Sequence, residues 1–373
     1  MKLKTLVLSV AILAVLSGIA FWANRPPSAP PADPRVGQPL ADPAAITQAT
    51  QLRLTDGGKT VLLKRQPDGT WRVPGYFDLT ADFSKLSSFV GDLTSAKIQR
   101  LVSVNPDRIN RLEFGGTKIE LLADDGRTLW SVLLGKSADT GGRFVRFGDE
   151  PKAYLASLNA TIDTEPKAWA DASLFVLKPD DVARIEFPFD GGIPVIVSRK
   201  TKDAAWTADP TPAGQKVSTE KISAVLSTLG SLRFSDTSDP ADPQAKTAQA
   251  HLRTFLLTTF SGQTYQVALG RKPEEKKPKP PAPKDAKAEP KPAAPAADAA
   301  AATPPPEPEA DTIPAGPVYA FITSSDAKAP VNALMQKRAF QIDDYIFTGL
   351  PQKPDELFEP APAPSPAPPP AAK

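Results

Sequence analysis

The sequence predicts an α+β protein: two tandem antiparallel-sheet domains, each with a packed helix, after one N-terminal transmembrane helix. Three observations predict it. The first is a duplication: Leu52-Arg53-Leu54, Asp56-Gly57-Gly58, Val61-Leu62-Leu63 and Trp71 recur as Ile185-Glu186-Phe187, Asp190-Gly191-Gly192, Val195-Ile196-Val197 and Trp206. The offset is 134 residues from Asp56 to Asp190, and 135 from Trp71 to Trp206 and from Gly135 to Gly270. A period that long means two similar domains, not a solenoid. The second is period-two alternation of apolar residues between glycine-bearing turns, the mark of half-buried strands. The third is an uncharged apolar run near the N-terminus.

That run is Thr5–Ala23, nineteen residues preceded by Lys2 and Lys4. As a helix it spans roughly 28 Å, close to the hydrocarbon core of a bilayer. Basic residues ahead of it favour a cytoplasmic N-terminus, with the rest of the chain in the periplasm or another extracytoplasmic space. The rival reading is a cleaved signal peptide with a small-x-small site at Gly18-Ile19-Ala20. Against it, apolar character continues through Phe21-Trp22-Ala23, with Trp22 placed as an interfacial anchor. Residues 25–43 are rich in Pro, Ala and Asp and read as an extended spacer off the membrane.

The first repeat is expected over 44–177. Gln51–Thr55 and Lys59–Arg65 form a hairpin, and Pro67-Asp68-Gly69 turns the chain into Trp71-Arg72-Val73. Phe83, Leu86, Phe89, Val90 and Leu93 recur at helical spacing, which predicts one helix packed on the sheet. Leu101–Val104 and Arg111–Phe114 continue as strand. Lys118–Leu122 and Leu129–Leu134 pair across Asp124-Asp125-Gly126, and Phe144–Phe147 pairs with Ala153–Leu155. The second repeat, 178–350, replays this order with a helix carrying Ile222, Val225, Leu226 and Leu229, and with Val318–Phe321 in the place of Ala153–Leu155. It also carries an insertion, 272–314, of Lys, Pro, Ala and Glu, expected to be disordered, as is the tail 351–373.

Composition narrows the function. Of the 43 prolines, twenty-nine lie in the spacer, the insertion and the tail, so the remaining chain has ordinary globular make-up. A net charge of +2 offers no field to recruit nucleic acid. The absence of cysteine removes disulfides, thiolate catalysis and cysteine-based metal sites.

No constellation of reactive side chains emerges from the remaining motifs. His251 is the only histidine and precedes a strand without an orienting partner, so it reads as a surface residue. Asp139-Thr140-Gly141 has the form of an aspartic-protease signature, but that chemistry needs two carboxylates sharing a proton, and the second repeat has no match; a turn is the better reading. Gly135-Lys136-Ser137 resembles the end of a phosphate loop, yet Trp130 stands where the leading glycine belongs. Asp56-Gly57-Gly58 and Asp190-Gly191-Gly192 each bring one carboxylate where calcium needs six or more oxygens, and are turns. Trp71 and Trp206 recur at one position of the repeat and read as core, with ligand stacking as the alternative. The expectation is no catalytic, cofactor-binding or metal-binding residue, and no enzyme.

In its order of motifs the chain resembles the bacterial family catalogued as domain of unknown function 4340: a membrane helix, Trp71 after a strand pair, a helix of the Phe83–Leu93 type, a hairpin ending in Leu134-Gly135, and a strand with Tyr154-Leu155. The resemblance covers about 45–350 of the chain. Asn105-Pro106 lacks the Tyr-Gly-Leu that usually precedes this proline. Members are often encoded beside ABC-type exporter subunits of gliding-type systems, so the resemblance implies an ABC transporter partner and implies no catalytic residues. The expected function is a non-catalytic accessory or scaffold protein of the inner membrane, in contact with lipid through its N-terminal helix. The alternative is an envelope glycan- or lipid-binding module that uses the cleft between the repeats.

Overall fold

Alternation sends Leu52, Leu54, Val61 and Leu63 to one face of a hairpin, and all four are buried. The computed structural model describes residue 17 and residues 33–148, 150–189, 194–278 and 310–361. The chain divides into two compact units, Met1–Asp171 and Ala172–Lys373.

In the first unit, helix α1 (Pro43–Gln48) leads into β1 (Gln51–Asp56), β2 (Lys59–Arg65), β3 (Trp71–Val73) and β4 (Leu79–Thr80). Helix α2 (Phe83–Ser95), β5 (Ile98–Ser103) and helix α3 (Pro106–Asn110) follow. Strands β6 (Thr117–Leu122), β7 (Thr128–Ser137), β8 (Arg143–Arg146) and β9 (Ala153–Ala156) complete a nine-stranded antiparallel sheet, ordered β4-β3-β2-β1-β6-β7-β8-β9-β5. Asp82 starts α2: its carboxylate accepts from the Lys85 amide at 3.1 Å, filling one of the donors a helix leaves open. Leu86, Phe89 and Leu93 are buried. A 3-10 turn, Pro166–Trp169, closes the unit, with the Trp169 carbonyl taking the Asp82 amide at 2.8 Å and the Trp169 ring edge-on to Phe89 at 5.7 Å.

The second unit runs through β10 (Val182–Phe187), β11 (Val195–Ser198), β12 (Thr207–Asp209), β13 (Gln215–Val217), helix α4 (Thr219–Gly230), β14 (Asp236–Ser238) and helix α5 (Pro243–Gln249). Then come β15 (Leu252–Thr259), β16 (Thr264–Gly270), β17 (Glu275–Pro278), β18 (Ala310–Ile313), β19 (Val318–Ser324), helix α6 (Pro330–Lys337), β20 (Ala339–Ile342), helix α7 (Asp344–Thr348) and β21 (Phe358–Pro360). Its main sheet is ordered β12-β11-β10-β15-β16-β19-β20-β14. Strand for strand this is the first sheet from β3 to β5. Ile185, Phe187, Val195, Val197, Phe255, Leu257, Val267 and Leu269 are buried where the first unit buries Leu52, Leu54, Val61, Leu63, Ile119, Leu121, Val132 and Leu134. Each such side chain contributes about 1.5–3 kcal/mol by leaving water. The closing turn also recurs: Pro354–Leu357 offers the Leu357 carbonyl to the Ser218 amide at 2.9 Å, as Trp169 does for Asp82.

Several expectations need correction. Arg111–Phe114 is not a strand, because Asn105-Pro106 starts α3 instead: the Asn105 side chain accepts from the amides of Asp107 (2.9 Å) and Arg108 (3.4 Å). Val318–Phe321 takes the place of β8, not β9. Val145 and Ala320 pair with Leu134 and Leu269, and then with Tyr154 and Phe340. Phe340 is therefore the counterpart of Tyr154. The spacer ends before Asp33, since Leu40 and Ala41 are buried and the Leu40 amide donates to the Ala96 carbonyl at 2.8 Å. The tail begins after the closing turn, because Leu350, Leu357 and Phe358 are buried and β21 pairs with β13. The ends of the insertion pair with each other, Glu275 opposite Ile313 through Pro278 opposite Ala310, and residues 279–309 lie outside the described residues. So do Asp190-Gly191-Gly192 and, apart from Ser17, the Thr5–Ala23 run. Among the described residues no helix is long and apolar enough to cross a membrane.

Candidate functional site

The first unit carries an apolar groove between α2 and the sheet. It has a volume of about 260 Å³ and is lined by Ile46, Ala49, Leu52, Trp71, Phe83, Leu86, Ser87, Val90, Leu93 and Leu121. Helical spacing places Leu86 and Leu93 on its floor and Val90 at its side. Phe83 behaves differently from the other apolar residues of α2. It sits on the first helical residue, beyond the end of the packed stripe, and is 73% exposed. The second unit has Thr219 at the start of α4, so helix initiation does not require a phenylalanine.

The two repeated tryptophans part company here. Trp206 is core, 6% exposed, with the Arg199 guanidinium 4.4 Å above its ring. Arg199 is held by the carbonyls of Val182 (3.0 Å), Lys202 (2.7 Å) and Pro179 (2.8 Å). Trp71 is half-buried and forms a wall of the groove. The core reading holds for Trp206 and is corrected for Trp71, which is half-buried and lines the groove.

A second, polar cavity of about 350 Å³ is lined by Asp56, Ser137, Arg143, Leu158, Asn159, Ala160, Thr161 and Ile162. Two of the dismissed motifs meet here, since Asp56 ends β1 and Ser137 ends β7. The third, Asp139-Thr140-Gly141, forms the turn from β7 to β8, with the Ala138 amide donating to the Gly142 carbonyl at 3.0 Å and Asp139 exposed. Lys136 pairs with Glu113 at 3.1 Å on a strand, so Gly135-Lys136-Ser137 does not open a helix as a phosphate loop must. Sequence reading missed Arg143. The signal was available as a charged residue immediately before an apolar strand at a glycine turn.

A third cluster fastens the segment entering the first unit. The Asp33 carboxylate accepts from Lys152 Nζ at 2.8 Å, the Arg35 amide at 3.0 Å and the Tyr154 hydroxyl at 3.3 Å. The Lys152 hydrogen bond, then the Arg35 amide, hold Asp33 below the usual carboxylate range. Asp33 in turn raises Lys152, while burial first and the Asp33 charge second raise Tyr154. Arg35 pairs with Glu150 at 2.6 Å and lies 4.4 Å above the Phe147 ring. Every charge here is matched within the cluster, and that is the arrangement of a fastener.

His251 is exposed at the entry to β15. Among the described residues no three His, Asp or Glu side chains group as a metal site would need. The model of a family described as Domain of unknown function (DUF4340) matches residues 71–254, from β3 of the first unit into β15 of the second. No curated protein matches the chain. No solved structure matches it.

Proposed function

The chain belongs to the family described as Domain of unknown function (DUF4340), and from that premise we propose that it is a non-catalytic accessory or scaffold protein of a membrane complex, associated with an ABC-type exporter. The observation that carries this reading is the apolar groove of the first unit with Phe83 exposed at its mouth. A large apolar side chain that the helix does not need, beside an open apolar floor, is what a docking surface presents to a partner. Trp71, with a broad apolar ring and one donor, has the character of an interface anchor. The exporter as partner comes from the family resemblance. The anchor is the Thr5–Ala23 run behind Lys2 and Lys4, which sets the two units outside the cytoplasm.

The test is affinity purification of the tagged full chain from native membranes in mild detergent. The expected result is co-purification of exporter membrane subunits, identified by mass spectrometry, and their loss with Phe83→Ser. Because Phe83 is exposed, that substitution is expected to shift stability by less than about 0.5 kcal/mol. Recovery of the chain alone under gentle conditions overturns the reading.

A further inference from the structure

The duplication supplies a control for what the fold itself requires. Arg143 pairs with Ala156 in the first sheet, and the matching pair in the second is Val318 with Ile342. The sheet thus accepts a buried valine where the first unit has a half-buried arginine, and covering a guanidinium costs more than covering an isopropyl group. Packing does not explain Arg143.

Its surroundings do suggest a use. Arg143 Nε donates to the Gly135 carbonyl at 2.9 Å, which fixes the plane of the guanidinium. Gly135 itself is held where the backbone of Leu112 approaches too closely for a Cβ. Among the described residues the two Nη groups of Arg143 have no hydrogen-bond or ion-pair partner. Asp56, on the same cavity, takes the Thr117 hydroxyl on one oxygen and makes no ion pair with Arg143. Burial lowers the Arg143 pKa, and the Asp56 charge counters this. The cavity therefore holds one cation and one anion that feel each other's charge but make no direct ion pair.

We propose that this cavity binds a free amino acid in its zwitterionic form. The α-carboxylate lies on the planar fork of Arg143, which matches a carboxylate with two parallel donors. The α-ammonium lies toward Asp56, with Ser137, Asn159 and Thr161 as further hydrogen-bonding groups. A simple anion in the same place meets the Asp56 charge, and a simple cation meets Arg143, so a ligand carrying both charges is favoured over either alone. A volume of about 350 Å³ accommodates a molecule of this size. The site shares no lining residue with the apolar groove and needs neither an exporter nor Phe83.

The test is isothermal titration calorimetry of the full chain in detergent micelles with L-alanine, acetate and methylamine as probes. Alanine is expected to bind at least about tenfold more tightly than either single-charge probe, since each lost charged hydrogen bond is worth about one decade. Arg143→Lys is expected to weaken alanine by about tenfold by removing the fork. Asp56→Asn is expected to bring alanine down to the level of acetate without weakening acetate. Asp56 is exposed, so this second variant decides the matter if the first does not fold. Absence of heat with alanine up to its solubility limit, or acetate binding as well as alanine to the unsubstituted protein, overturns the proposal.

Discussion

At the scale of the residue, the first unit spends its charges on holding the entering segment. Asp33 shows only 6% of its side chain to solvent and is matched by Lys152, the Arg35 amide and Tyr154. Its folded pKa lies below the ordinary 3.8, so its contribution is complete well above that value and is lost as pH falls through the lower folded value. Lys152 is raised above 10.5, so its contribution is complete below that value and is lost as pH rises through the higher one. The fastener is therefore constant across neutral pH. We predict that hydrogen-exchange protection of the Gly37 and Leu40 amides, which bond to the Ile98 and Ala96 carbonyls, stays level from neutral pH down to the ordinary carboxylate range and drops below it. Asp33→Asn should lower that protection at neutral pH and remove the acid-side step. An unchanged profile in the variant would show that the ion pair is incidental.

At the scale of the element, the repeated Leu-Gly at the end of β7 and β16 has one physical cause. A Cβ on Gly135 would meet the Leu112 carbonyl, just past a short Pro-initiated helix, and one on Gly270 would meet the Ala248 carbonyl, in the last turn of another, because in each unit the C-terminal end of that helix region runs against the strand. Backbone atoms cannot rotate away as a side chain can. Gly135→Ala and Gly270→Ala are each expected to cost about 1–3 kcal/mol, read by urea unfolding followed by circular dichroism. They share no partner residue, so the double variant should show the sum. A neutral effect at either glycine would sink the shared cause. The repeated strands, the two amphipathic helices and this glycine were legible in the sequence, because each is a local pattern of spacing. The partnership of β19 with β8 was not. A Tyr flanked by apolar residues marks any inner strand, and only hydrogen-bond register tells Tyr319 from Tyr154. The extra turn of α3 was missed for a different reason: Asn105-Pro106 is a helix start, and apolar residues after it imitated a strand.

At the scale of the whole molecule, two sheets of the same strand order each bury their own face and each close with a Pro-initiated turn that pairs in front of the helix. Trp169 completes the first core and Leu357 the second. A cut between Asp171 and Ala172 leaves both closures intact. Fragments 33–171 and 172–361 are therefore expected to fold separately, each with a cooperative thermal transition by circular dichroism. Ending the second fragment at 350, before Leu357 and Phe358, should abolish its transition. A 172–350 fragment as stable as 172–361 would show that the closing turn is dispensable.

By itself the sequence determined the doubling, the alternating core and the placement of one helix on each sheet, because periodicity is written along the chain and burial follows from it. Tertiary structure alone decided which residues of those patterns stay in reach of solvent and which charges meet. Phe83 shares the helical spacing of Leu86, Phe89 and Leu93 yet stands in water past the end of their packed stripe, and Asp56, Ser137 and Arg143 come from three separate strands to one cavity. Spacing along a chain fixes the face on which a side chain lies. What covers that face depends on the neighbours that register and closure bring beside it.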